Sequence, residues 1–315
     1  VIMVTKSEEE NIMDKAVGSK IADYLIKPVN PNQVLLSIKK NVHSQQLVTE
    51  QTTADYRSEF GRISASLQMA ETFQDWCSLY RKITSWEIEL ESSTDQSIKE
   101  ILLYQKTEAN QAFCKFVRQN YYNWINRRSD DTPVMSHTLM RSKIFPVADD
   151  HAKTTLLLID NFRYDQWRSI SSLLRGYYDV AVDDFYCAIL PTATQYARNA
   201  VFAGLMPLSI DRLMPNKWLN DNEDGGKNQY EEEFLKRLMT QNGKSWRFSF
   251  DKLVRPEQGR RLVDNIQKVY DADFSVIVYN FLDILSHART ETDVIRELTE
   301  DEAAFRSLTR SWFEH

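Results

Sequence analysis

Three short segments carry residues whose types and spacing could do chemistry. Asp160 directly follows an apolar run, and a carboxylate at a strand end can bind a metal ion or cap a helix. Thr194 and Arg198 stand at the start of a predicted helix, where free backbone N–H groups stabilise an oxyanion or a phosphate beside a hydroxyl nucleophile. The alternative is an N-cap threonine with a solvent-exposed arginine. Asp283 and His287 have a spacing of four, which puts both within reach of one metal ion.

The elements that must position these residues alternate between strand and helix. Ligands in open α/β sheets collect at the carboxyl ends of strands, and Asp160 and Asp283 both follow predicted strands closely. The acidic run 231–233 opens a further helix, and we interpret it as a solvated face. The pattern predicts strands at Thr154–Ile159, Tyr178–Asp183 and Phe274–Phe281, and helices at Gln166–Leu174 and Thr194–Ala203, the last closed by Gly204.

The middle of the chain has helical periodicity instead. From about residue 43 to residue 128 the apolar positions recur at intervals of three and four, and glycine and proline are almost absent. This pattern favours a bundle of long helices. Trp76, Trp86 and Trp124 could form a binding box, but their helical spacing favours core packing.

The front of the chain alternates again. A strand ending at Thr5, a helix from Ser7 to Gly18, a strand from Ala22 to Ile26 and a helix beginning at Pro31 predict parallel strands covered by helices. Two strands are not stable alone, so we expect most of this domain to lie upstream.

Composition restricts the class of protein. The 315 residues are 42% hydrophobic and 27% charged with a net charge of -6, which is typical of a soluble globular protein and argues against nonspecific attraction to nucleic acid or anionic membranes. Three scattered cysteines support neither a disulfide framework nor a thiolate zinc site, and they favour a reducing cytoplasm. No apolar run approaches the roughly 20 residues that span a bilayer. Only 8 glycines are present, against the usual share of roughly 7%, so a glycine-rich phosphate loop is not expected.

Taken together, the three chemical segments resemble the alkaline phosphatase superfamily. Its phosphodiesterase and sulfatase branches share an Asp-x-Phe-Arg phrase after the first strand, here 160–163. They also share a nucleophile whose helix closes with Gly-x-x-Pro, here 204–207, and an Asp-x-x-x-His, here 283–287. By this spacing Thr194 matches the nucleophile position. Thr192 is a candidate for a residue that contacts the site residues without contacting the substrate.

The resemblance implies a site with two zinc ions. Asp160 and Thr194 would bind one, and Asp283 and His287 the other, while Thr194 attacks phosphorus in line and Arg198 steadies the transferred oxygens. The substrate would be a phosphate ester, with a nucleotide as one candidate. The family also supplies an Asp-His pair and a further His from later in the chain. Four ligands cannot complete two tetrahedral sites, so we expect this stretch alone to be inactive.

The front resembles the last third of a receiver domain, whose flavodoxin-like fold uses the positions of Thr5 and Lys27 as phosphorylation switch residues. In that family the Lys-Pro bond is usually cis and Mg²⁺ binds at the phosphorylation site, which would lie upstream. The order of domains resembles PorX-like response regulators with a PglZ output domain. We therefore expect the end of a receiver domain at 1–43, a helical bundle at 44–150 and an incomplete α/β alkaline-phosphatase-like domain at 151–315.

That resemblance implies a cytoplasmic two-component regulator linked to type IX secretion. Its partners would be a sensor histidine kinase, a second copy bound through the receiver, and a secretion component or sigma factor. An alternative treats the PglZ-like domain as a binding module without turnover. Asn161 stands where many diesterases have glycine, and the segment 283–287 lacks a glycine before its histidine, so either change could mark drift from catalysis. The third hypothesis is a helical scaffold in which the α/β regions at the two ends of the chain have no function of their own.

Overall fold

The computed structural model describes residues 2–5, 23–93, 95–126, 131–219, 228–299 and 301–314. The chain divides into two compact units, Val1–Phe116 and Val117–His315. The helix expected between Ser7 and Gly18 and most of the polar segment 221–229 lie outside the described residues.

The first unit begins with two parallel strands, β1 (Ile2–Thr5) and β2 (Asp23–Ile26), paired so that Thr5 lies opposite Ile26. The Lys27–Pro28 bond that follows is cis, as the receiver resemblance implies. Helix α1 (Pro31–Met69) then begins at a proline whose missing N–H costs nothing there.

Three long helices follow: α1, α2 (Phe73–Glu89) and α3 (Gln96–Asn126), with a 3₁₀ turn at Leu90–Ser92. Residues 117–126 of α3 belong to the second unit. Thr72 caps α2 through a capping box with Asp75. The expected core packing of Trp76 and Trp86 is confirmed, and Trp124 is buried. The buried aliphatic side chains of this core include Ile63, Leu67, Leu79, Ile83, Leu90, Ile98 and Leu102.

A buried polar pair lies inside this apolar core. The Tyr56 hydroxyl donates to Gln105 Oε1 at 3.1 Å, and Gln105 Nε2 donates to the Phe60 carbonyl at 3.1 Å and to Ser64 Oγ at 3.0 Å. Tyr56 and Gln105 are fully buried, so every bond they make replaces one with water. Burial raises the pKa of Tyr56 from 10.0 to about 12.

We expect the chain to lose stability as the pH rises from about 10 to about 12. The unfolded tyrosine ionises near 10.0 whereas the folded one keeps its proton until about 12, so the folded state binds more protons across this window. The loss attributable to Tyr56 is up to about 2–3 kcal/mol. Urea unfolding of the wild type and of Tyr56→Phe at both pH values measures it, because the variant lacks the titrating hydroxyl. An equal loss in both proteins contradicts the assignment.

The second unit contains a parallel sheet with strand order β3 (Thr154–Ile159), β5 (Phe274–Tyr279) and β4 (Phe248–Leu253). Helix α4 (Phe145–Asp150), preceded by a π-helical turn, leads into β3. The other helices of this unit are α5 (Tyr164–Leu174), α6 (Thr194–Ala203), α7 (Pro207–Leu213), α8 (Glu231–Gln241), α9 (Pro256–Asp264), α10 (Gln267–Asp271), α11 (Phe281–Glu291), α12 (Asp293–Leu298) and α13 (Glu302–Phe313), with a 3₁₀ turn at Pro215–Lys217.

The main core of this unit lies where α6 and α8 cover the sheet. Helix α6 contributes Phe202, α8 contributes Phe234 and Leu238, and β5 contributes Phe274 and Val276, all fully buried. The chain is therefore a mixed α/β protein that is mostly helical and has a small parallel sheet. Among the residues that the structure describes, we find no helix with both the length and the hydrophobicity of a membrane span.

The predicted strand Tyr178–Asp183 is wrong. These residues have no regular structure, and the side chains of Val180 and Val182 are 57% and 78% exposed. Alternation of apolar and polar residues identifies a strand only when a neighbouring strand satisfies its backbone, and no pairing involves this segment in the residues described. Strand β4 is an addition to the predicted elements.

Candidate functional site

The carboxyl ends of β3 and β5 lie side by side. Ile159 is paired with Tyr279 in parallel register, and the backbone N–H of Asp160 donates to the Tyr279 carbonyl at 2.9 Å. Helix α11 begins directly afterwards and carries Asp283 in its first turn. Asp160 and Asp283 therefore lie at the same edge of the sheet, as their positions after two parallel strands predict.

Asn161 has a left-handed backbone with a φ of 58°. Asparagine adopts this conformation more readily than other residues with a Cβ, and glycine adopts it freely. The asparagine thus keeps the turn that glycine would make after Asp160.

Arg198 is buried, whereas the alternative of an N-cap threonine expects this arginine to be exposed to solvent. It lies on the second turn of α6, and its side chain is 6% exposed. Nη1 donates to Asp160 Oδ2 at 2.6 Å and to Asn280 Oδ1 at 3.2 Å, and Nε donates to Glu231. One guanidinium thus connects the ends of β3 and β5 with the start of α8. We call Asp160, Arg198, Glu231 and Asn280 the ion cluster.

Glu231 is the residue of this cluster that the sequence analysis missed. Its side chain is 1% exposed and also pairs with Lys252 Nζ at 3.0 Å, so it is not part of a solvated face. A signal was present in the sequence: Glu231 is in helical register with Leu235 and Leu238, the buried positions of α8. Its two acidic neighbours point away from that stripe.

The carboxylates near the ion cluster act on one another. Burial raises the pKa of Asp160, and the charge of Arg198 opposes this, while the charges of Asp283 and Glu231 raise that pKa further. The pKa of Tyr186 is raised by burial and by the charge of Asp160. Negative charge is concentrated at the sheet edge, where it would favour a bound cation.

Asp283 and His287 lie on one face of α11. His287 Nε2 is 3.7 Å from Asp283 Oδ1. The His287 side chain is 68% exposed and the Asp283 side chain is 28% exposed. Carboxylates, an imidazole and a hydroxyl are donors that zinc accepts. Within the described ranges, however, no three His, Cys, Asp or Glu side chains are grouped so that they could hold one metal ion.

Thr194 is the first residue of α6, and Ala193 occupies the N-cap position, so Thr194 is not a capping residue. It is partly buried, and it lies four residues, about 6 Å along the helix axis, before Arg198. Thr192 is exposed and precedes the helix. Thr194 and Arg198, which is the central residue of the ion cluster, are therefore carried by the same helix.

Gly204 ends α6 in a left-handed conformation with a φ of 62°, which confirms the predicted stop. A Cβ there would lie 2.5 Å from Leu238 Cδ1 and 3.2 Å from Arg141 Nη1. Glycine is required both for its φ and for the close approach of α8.

We expect Gly204→Ala to lower the free energy of unfolding by about 1–3 kcal/mol, because alanine is strained at this positive φ and its methyl group displaces Leu238. Gly61→Ala is the matched control. Gly61 lies within α1 with open space around it, so its replacement should be neutral or stabilise by about 0.5–1 kcal/mol. Chemical unfolding followed by tryptophan fluorescence compares the two variants. Similar losses in both would contradict the packing account.

In the first unit, Thr5 ends β1 and Lys27 directly follows β2, so the paired strands place the two positions near the same end of the sheet. Lys27 is exposed and lines an open surface pocket with Val4, Pro28 and Val29. Their receiver roles remain predictions.

Two family models match the chain. Residues 46–125 match the PorX response regulator linker domain, and residues 139–313 match the BREX system PglZ alkaline phosphatase-like domain. No curated protein matches it significantly. The second match covers more than half of the chain, so the chain belongs to the PglZ alkaline phosphatase-like family. Together with the linker domain that precedes it, this match identifies the chain as a PorX-like response regulator that carries a PglZ domain.

Proposed function

We propose that the PglZ domain is a zinc-dependent phosphodiesterase or phosphatase in which Thr194 is the nucleophile. The observation that carries the proposal is the ion cluster. In it Arg198, one helical turn of α6 after Thr194, holds Asp160 at the carboxyl edge of the sheet, where Asp283 also lies. Two carboxylates and a helix N-terminus at one sheet edge are suited to binding a cation together with a phosphate ester.

Asp160 and Thr194 would hold one zinc ion, and Asp283 and His287 the second. The donor types fit zinc, and the mutual repulsion of the carboxylates favours a cation between them. Bound zinc lowers the pKa of a hydroxyl nucleophile and stabilises negative charge on phosphate oxygens. Further ligands are required to complete two tetrahedral sites.

We propose that Arg198 holds Asp160 rather than substrate. The superfamily resemblance assigns this arginine to the transferred phosphate, but its guanidinium is buried and donates to two carboxylates and an amide. Releasing it would take the cation away from Asp160 and leave Lys252 as the cation paired with Glu231, which is costly for buried carboxylates. Fixing the Asp160 carboxylate is the role that these contacts support.

The rest of the regulator is proposed on the linker match and on the sequence. Residues 1–43 would be the end of a receiver in which Thr5 and Lys27 respond to phosphorylation of an upstream aspartate with bound Mg²⁺. A sensor histidine kinase would supply the phosphoryl group, and dimerisation through the receiver would control the output domain in the cytoplasm and thereby type IX secretion.

The second candidate function is a binding module that recruits a secretion component or a sigma factor without turnover. The observation that favours it is that no group of three His, Cys, Asp or Glu side chains is assembled in the described part of the chain. Asp160 is instead neutralised by Arg198.

Metal analysis and hydrolysis of the full-length protein separate the two functions. The enzyme hypothesis expects about two zinc ions per chain, together with turnover of bis-p-nitrophenyl phosphate that a chelator removes and added zinc restores. Absence of bound zinc together with absence of turnover supports the binding module and contradicts the enzyme.

A further inference from the structure

Arg163 completes the Asp160–Arg163 phrase, yet its side chain is not part of the ion cluster. Its Nε and Nη2 donate to the two oxygens of Asp165 at 3.0 and 2.9 Å, and Nη2 also pairs with Glu302. Because Arg163 lies three residues after Asp160, these contacts tie the loop after β3 to α13.

Glu302 has a second cationic partner on a different element. Arg289 Nη1, on α11, donates to Glu302 Oε1 at 2.9 Å. The guanidinium groups of Arg163 and Arg289 also lie over the ring of Phe305, at 5.4 and 5.1 Å from its centroid. Glu302 and Phe305, one turn apart on α13, therefore hold two arginines from two different segments.

A buried ion pair anchors this arrangement. Arg306 Nη1 donates to Asp165 Oδ2 at 3.0 Å, and their side chains are 4% and 9% exposed. Charges alternate in the order Arg306, Asp165, Arg163, Glu302 and Arg289, which we call the charge chain. Glu302, which lies between Arg163 and Arg289 in this order, is 42% exposed, so its charge can be removed with little desolvation cost.

The charge chain connects the two segments that carry the candidate zinc ligands. Arg163 belongs to the segment of Asp160, and Arg289 is two residues after His287 on the helix that also carries Asp283. Burial acts to raise the pKa of Glu302, but the hydrogen bond from Arg289 and the charge of Arg163 outweigh it, and the pKa lies below its ordinary value. Glu302 is therefore ionised at neutral pH and attracts both arginines.

We propose that Glu302 is a positioning residue that fixes helix α11 relative to the Asp160 loop, and thereby sets the separation between the two pairs of candidate zinc ligands. The proposal rests on the proposed function for its consequence, but the link between the two segments is a property of the chain itself. Charge, rather than the shape of the side chain, does the positioning.

Glu302→Gln in the full-length protein tests this, because glutamine keeps the size of the side chain and removes its charge. Glu297→Gln, at an exposed position on α12, is the matched control. In Glu302→Gln, hydrogen exchange should increase several-fold in residues 160–164 and 281–291 and stay unchanged in α8. Zinc affinity, measured with a competing chromophoric chelator, should fall about tenfold. For turnover, kcat should fall while KM stays close to wild type.

Arg289→Gln is the second variant. It removes only the α11 end of the charge chain, so exchange should increase in 281–291 and not in 160–164. The proposal is overturned if Glu302→Gln leaves exchange in both segments at the wild-type rate, or if exchange rises equally in α8, which indicates general destabilisation. If the wild type binds no zinc, the proposed function fails, and the exchange measurement still decides whether Glu302 links the two segments.

Discussion

Replacing Glu231 with alanine should destabilise the second unit by about 3 kcal/mol, because removing one partner of a buried ion pair leaves the other charge uncompensated. Glu231 neutralises Arg198 and Lys252 from a position that is 1% exposed. Arg198 keeps Asp160 as a partner in the variant, which places the loss near the lower end of the range for such changes. The total free energy of unfolding of a small domain is about 5–15 kcal/mol, so this loss is a large fraction of it. Urea unfolding followed by fluorescence measures it.

The neighbouring glutamate provides the control for this prediction. Glu232 is 45% exposed and pairs with Lys236 one turn along α8 at 2.6 Å. An exposed pair of this kind contributes less than about 1 kcal/mol, so Glu232→Ala should unfold close to wild type. Equal losses at the two positions would show that the ion cluster does not stabilise the fold.

Replacing Thr194 with valine should lower hydrolysis of bis-p-nitrophenyl phosphate by the full-length protein by about a thousandfold or more, because valine has no hydroxyl to attack phosphorus. Valine matches threonine in shape, and Thr194 is not the capping residue of α6, so the fold should be retained. Steady-state rates at saturating substrate, with unfolding curves for each variant, make the measurement.

Thr192→Val is the matched control. Thr192 is exposed and lies before the first turn of α6, so we expect this variant to keep most of its activity. Unchanged turnover in Thr194→Val would exclude Thr194 as the nucleophile. Loss of turnover in Thr192→Val alone would transfer the assignment to Thr192.

Local signals in the sequence are sufficient to predict the strand and the helix that carry Asp160, Thr194 and Arg198. The apolar run 156–159 predicts β3, and the stop at Gly204 predicts the end of α6, because both depend on residues adjacent in sequence. The placement of Asp160 and Asp283 at one edge followed from the parallel alternation of strands and helices.

The remaining features depend on tertiary contacts. Glu231 belongs to an acidic run that is typical of a helix start, and only its register with Leu235 distinguishes it from its exposed neighbours. The burial of Arg198 requires carboxylates from two other elements. The segment Tyr178–Asp183 alternates as a strand does, but pairing is a property of a neighbour and cannot be read from the segment itself.

Identification of the residue that attacks phosphorus decides whether this sheet edge is a phosphate-ester hydrolase site. The full-length protein, loaded with zinc, is mixed with excess bis-p-nitrophenyl phosphate, quenched in acid within one turnover, digested and sequenced by tandem mass spectrometry. We expect a p-nitrophenyl phosphoryl adduct on Thr194, formed with release of one p-nitrophenolate. Turnover without an adduct there, or an adduct on another residue, would contradict it.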